Sequence, residues 1–125
     1  MFKVLIAEDE PPIMRMIKST LESVDSDFKV TECCINGKNA VEKLKNEDFD
    51  IVITDIKMPI MNGLEATRII REEGASLPII MQTAYAFSSD RENAMQAGAS
   101  EVLVKPITVS ALRGCLSSYF PEIKW

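Results

Sequence analysis

Four features of this sequence combine types that can act together: the acidic run Glu8-Asp9-Glu10, Asp55, Thr83 and Lys105. Each follows a short run rich in Val, Ile and Leu, namely VLIA, IVIT, PIIMQ and EVLV. Carboxylates gathered at one point repel by about 1 kcal/mol or more per pair even near a surface, so a site containing them needs positive charge. Lys105 brings one such charge. A hard divalent cation that takes oxygen ligands and keeps part of its water shell suits the remainder, which means Mg²⁺ (or Mn²⁺). Carboxylate, cation, ammonium and hydroxyl together form a phosphoryl-transfer site. A carboxylate would be the nucleophile, giving an acyl phosphate, while the cation, Lys105, Thr83 and backbone N–H groups stabilise charge on the transferring oxygens.

Those residues converge only if the apolar runs form one parallel sheet. Five runs read as strands, at 3–7, 29–34, 51–54, 78–82 and 101–104. The first, third and fourth are nearly continuously apolar, as expected of central strands covered on both faces, while KVTECC is mixed and suits an edge. Helices are predicted between and after them, at 12–23, 38–46, 63–73, 89–97 and 108–119. Ile13, Met16, Ile17 and Leu21 give the first a stripe of helical period. Ser88 or Ser89 suits the cap of the fourth, and Gly98 its left-handed end. Strand then helix, five times over, is a doubly wound α/β fold with right-handed crossovers and helices on both faces. In such sheets ligands bind beyond the carboxyl ends of the strands, where the four features fall.

Composition bounds the function. At 125 residues and a net charge of −5, the chain is expected to be one soluble, cytoplasmic domain with no membrane span and no direct nucleic-acid surface. It has no histidine, so no imidazole base, phosphohistidine or histidine metal ligand lies within it. Cys33, Cys34 and Cys115 read as reduced and structural, the adjacent pair pointing to opposite sides of a strand. The seven methionines read as core filling, and Arg68, Arg71, Glu72 and Glu73 as a solvated helix face. Residues 120–125 read as a tail or the start of a linker, with Phe120, Ile123 and Trp125 packing back on the last helix or forming a contact surface.

Four motifs, VLIAEDEP at 4–11, IVITDIKMPIMNG at 51–63, PIIMQTAYA at 78–86 and VLVKP at 102–106, stand in order at strand ends. With them the sequence resembles the receiver domain of bacterial response regulators (CheY-like) over residues 1–119. The resemblance implies a flavodoxin-like (βα)5 fold with strand order 2-1-3-4-5, and a phosphoprotein switch rather than an enzyme. It implies that Asp55 is the phosphoacceptor, and that Glu8, Asp9, Asp55 and the backbone carbonyl of Lys57 hold the metal. Thr83 and Lys105 would bind the phosphoryl oxygens, with a cis bond before Pro106. A sensor histidine kinase or phosphotransfer protein would be the donor. Helix 4, strand 5 and helix 5 would then present a changed surface to an output domain or partner, or to a second copy in a dimer.

The sequence departs from that pattern in two places. Val102 stands where the family usually has the Tyr or Phe that follows Thr83 inward, and Tyr85, two residues past Thr83, reads either as a cover or signalling residue of the site or as an exposed loop tyrosine. Glu8 stands where Asp is commoner, and its longer side chain can still reach a metal. Two rivals fail on particular residues. Phosphatases resembling the haloacid dehalogenases want a second Asp two places after the nucleophile, where this chain has Lys57. A flavodoxin-like FMN protein wants a Ser/Thr/Gly phosphate loop where this chain has EDEPP, which would repel phosphate.

Overall fold

The computed structural model describes residues 1–84 and 88–123. Strands β1 (Phe2–Ala7), β2 (Phe28–Cys34), β3 (Ile51–Asp55), β4 (Ile79–Thr83) and β5 (Glu101–Val104) alternate with helices. These are α1 (Pro11–Val24), α2 (Gly37–Asn46), α3 (Gly63–Glu72), α4 (Ser88–Ala97) and α5 (Val109–Tyr119). All strand pairs are parallel, in the order β2-β1-β3-β4-β5. This is the flavodoxin-like doubly wound fold, with KVTECC at an edge as its mixed pattern required.

The side-chain period of the strands divides the core. Val4 and Ile6 of β1 join Ile17, Leu21, Leu112 and Leu116 of α1 and α5, whereas Leu5 and Ala7 point to the other face, with Val41 of α2 and Ile70 of α3. A third cluster of Met81, Ala94, Ala97, Ala99 and Val102 seats α4. Phe2, Phe28 and Phe120 pack tilted or edge to face at 4.6 to 5.6 Å between centroids, and Ile123 is buried in the same cluster, so packing runs past α5. Trp125 lies outside the described residues.

Most element ends follow local chemistry. Asn36 and Asn62 cap α2 and α3, accepting from the N–H groups of Asn39 and Glu65 at 2.8 and 2.9 Å, and Thr108 caps α5. Residue 78 falls outside β4 because a proline cannot donate to the ladder. The strand ends on Thr83, not Gln82, because Thr83 still pairs with Val104 of β5. Ser89 lies within α4 rather than capping it, and residue 87, just before the helix, is outside the described residues.

Two readings need correction. Met81 is fully buried, but Met1, Met16 and Met95 are exposed, because their positions on an end and on outer helix faces meet no packed partner layer. Arg71 is not part of a solvated face. It is drawn in by carbonyls at the turn after α3 and by the loop before β5.

Candidate metal and phosphoryl site

The carboxyl ends of β1, β3 and β4 and the loop after β5 bring Glu8, Asp9, Asp55, Thr83 and Lys105 to one edge of the sheet. Oxygens of Glu8, Asp9 and Asp55 lie within 4.8 Å of one another. Lys105 Nζ sits between two of the carboxylates, 3.1 Å from Asp55 Oδ2 and 3.3 Å from Glu8 Oε2. The Lys105–Pro106 peptide bond is cis. Asp55 Oδ1 accepts the N–H of Ile56 at 2.8 Å. The loop beyond folds back so closely that a Cβ on Gly63 would strike the Asp55 carbonyl, and the Gly63 N–H donates to Ile56 O at 2.8 Å.

A cleft of about 310 Å³ opens over these groups, lined by Asp9, Asp55, Lys57, Thr83, Asp90 and Lys105 among others. Glu8 lies beneath Lys105, behind the lining of the cleft, and has no exposed surface. Burial, and then the charge of Asp55, push the Glu8 carboxyl up to about 7, against which Lys105 pulls only in part. Burial alone would lower the Lys105 ammonium, but its hydrogen bond to Asp55 and the two carboxylate charges outweigh that and hold it above the ordinary lysine range. One lysine thus leaves the acidic cluster under-compensated. A wholly oxygen donor set, one member of it buried and holding its proton for want of positive charge, fits a hard divalent cation.

Thr83 lines the same cleft, and its hydroxyl donates to Asp90 Oδ2 at a long 3.4 Å. Lys57 is exposed at the rim. Val102 is not in the cleft. It lies buried beneath α4, opposite Met81 in the register. Tyr85 is outside the described residues. Two polar neighbours escaped the sequence reading: Asp90, in the first turn of α4, and Gln82, whose amide donates to Glu8 Oε2 at 2.9 Å. The signal for Gln82 was a polar side chain at an inward position of an apolar run. Asp90, in a polar helix start, carried no such signal.

Comparison with known proteins agrees with this geometry. The family model for the response regulator receiver domain matches residues 4–117. The sensor protein EvgS of Escherichia coli K12 is 36 % identical over 91 % of this chain, and hybrid signal transduction histidine kinase I of Dictyostelium discoideum is 37 % identical over 88 %. The matched region spans only 9 % and 7 % of those two proteins. Among solved structures, the receiver domain of the Pseudomonas aeruginosa PAO1 sensor histidine kinase PA1611 has a magnesium ion coordinated in its active-site cleft. It superposes with a TM-score of 0.84 at 34 % identity, covering 96 % of this chain and 98 % of that one. A chain of the Borrelia burgdorferi CheX–CheY–BeF3–Mg²⁺ complex gives 0.86 at 28 % identity, over 98 % of this chain and 90 % of that one. The chain belongs to the response regulator receiver domain family, the regulatory phosphoacceptor modules of two-component signalling.

Proposed function

We propose that this chain takes a phosphoryl group onto Asp55 from a phosphohistidine of a sensor kinase or phosphotransfer protein. An Asp55 carboxylate oxygen attacks phosphorus, the P–N bond breaks, and the imidazole leaves with that electron pair. Glu8, Asp9, Asp55 and the carbonyl of Lys57 would hold Mg²⁺ or Mn²⁺. When bound, the cation would neutralise these carboxylates and the incoming phosphoryl oxygens. Lys105 follows the charge from the carboxylates to the new phosphoryl oxygens. The observation that carries the reading is the Lys105 ammonium poised between Asp55 and Glu8, beside a third carboxylate.

Thr83 binds the phosphoryl group by giving up its long bond to Asp90, which frees the first turn of α4. Val102 beneath α4 takes up the shift by repacking against Met81 and Ala94. Exposed Met95, Val104 and Val109, on α4, β5 and α5, supply apolar surface for a partner, an output domain or a second copy. The receiver fold takes in residues 1–119, Phe120 and Ile123 of the following tail pack into its core, and the domain works in the cytoplasm beside or within a kinase of the kind its relatives represent.

Incubation with Mg²⁺ and acetyl phosphate followed by intact mass tests this. One base- and hydroxylamine-labile phosphoryl group per chain is expected, absent in Asp55→Asn. Equal labelling of Asp55→Asn refutes the assignment.

A further inference from the structure

Gln82 lies opposite Asp55 in the β3–β4 register, and only 1 % of its surface is exposed. Its Nε2 donates to Glu8 Oε2 at 2.9 Å across 74 residues of sequence, and the same oxygen meets Lys105 Nζ at 3.3 Å. The other oxygen, Oε1, accepts a longer bond of 3.3 Å from the Glu10 N–H. With Glu8 ionised, as a cation ligand must be, the nitrogen of the amide faces the carboxylate, because the amide oxygen would meet a second acceptor. Gln82 Oε1 is then buried with no hydrogen-bond partner among the described residues. An unpaired buried acceptor works against folding, so an apolar residue would serve the strand better. What Gln82 supplies is the bond to Glu8.

We infer that Gln82 is the positioning residue of the cation site, fixing one oxygen of Glu8 together with Lys105 and leaving the other for the metal. This rests on the reading of Glu8, Asp9 and Asp55 as cation ligands. It also explains why residue 8 is a glutamate. The side chain must reach the Gln82 amide, and an aspartate, one methylene shorter, would withdraw and strand both polar atoms of the amide in the core. Residues 8 and 82 therefore act as a unit, in the way that partners behind a metal ligand set its orientation.

The test uses the whole 125-residue chain. Mn²⁺ affinity is measured by titration calorimetry, and thermal unfolding is measured in EDTA. Gln82→Met keeps an unbranched side chain of similar volume and removes the donor. It is expected to weaken Mn²⁺ binding about tenfold, with a melting temperature in EDTA equal to or above that of the parent. Glu8→Asp weakens binding as well, and the double variant binds no more weakly than Glu8→Asp alone, because the amide has already lost its partner. Gln82→Met binding Mn²⁺ as the parent does overturns the inference. So do losses that multiply in the double variant, or a Gln82→Met chain that melts lower in EDTA, which marks a purely structural role. If the parent binds no Mn²⁺, or binds it equally after Asp55→Asn, the cation-site reading itself fails and this inference falls with it.

Discussion

The two ends of the sheet contrast in how they treat charge. At the amino-terminal end, Arg71 brings a half-buried guanidinium into a ring of neutral acceptors. It donates to the carbonyls of Gly98, Ala75 and Leu77 at 2.8, 3.0 and 2.7 Å and to Ser100 Oγ at 3.2 Å. Ser100 Oγ also accepts the N–H of Ile79, and Tyr119 closes the layer by donating to Ser100 O at 3.0 Å. Burial lowers the pKa of Arg71, yet a guanidinium stays charged regardless. At the carboxyl-terminal end, two carboxylates share Lys105 beside a third, Glu8 is pushed up to about 7, and Gln82 Oε1 has no partner among the described residues. One end is satisfied without any ligand. The other is completed only by something that arrives.

That contrast predicts separable losses, and the largest falls at the satisfied end. Arg71→Ala leaves three partly buried carbonyls without this donor and loosens the loop before β5. Hydrogen bonds from a charged group contribute about 1.5–3 kcal/mol each, not additively, so a loss of about 3 kcal/mol is expected in urea unfolding. Mn²⁺ affinity should be within twofold of the parent, because Arg71 lies at the far end of α3. A parallel loss of cation binding would show that the two ends are coupled.

At the other end the sign reverses. Glu8→Gln removes a fully buried carboxylate whose ionisation is disfavoured by more than two pH units, each unit being about 1.4 kcal/mol. The amide introduced there would still accept from Lys105 or Gln82, while Asp55 keeps Lys105 paired. In EDTA at pH 8 the variant should be more stable by about 1–2 kcal/mol. With saturating Mg²⁺ the order should invert, since the parent gains binding energy that the variant loses. A Glu8→Gln chain destabilised in EDTA would mean that the lysine already neutralises the site.

The sequence showed the satisfied architecture and the acidic cluster for different reasons. Period-2 alternation and apolar runs told which strands were central, and residues after strand ends told where carboxylates must meet. Arg71 was misread because a helix face looks solvated until the turn after it is known. The acceptors at 75, 77 and 98 are backbone carbonyls, which carry no side-chain signature. Thr83 follows a strand and lines the cleft with Asp55 and Lys105, but no spacing rule told of its contact with Asp90. Val102 was legible as a departure, and its burial under α4 shows that the position packs without an aromatic ring.

The smallest expected effect tests the same contrast in the backbone. At the amino-terminal end the left-handed turns are made by Gly74 and Gly98, with φ of 90° and 111°, where no Cβ opposes the conformation. In the acceptor loop at the carboxyl-terminal end, Ile60 has φ of 68° and is 79 % exposed, and Met61 N–H donates to Pro59 O across it at 2.7 Å. A β-branched residue in this region costs roughly 1–2 kcal/mol, and a side chain so exposed buries little surface to offset it. Glycine removes the clash but adds freedom to the unfolded chain, so Ile60→Gly should gain only about 0.5 kcal/mol, and Ile60→Asn about as much. Thermal unfolding reads the gain. The same loop packs Gly63 against the Asp55 carbonyl, so relaxing it should change the rate of labelling by acetyl phosphate while leaving the site of labelling on Asp55. If both substitutions destabilise the chain, Ile60 is held by contacts that repay its strain, and the acceptor loop is as satisfied as the Arg71 end.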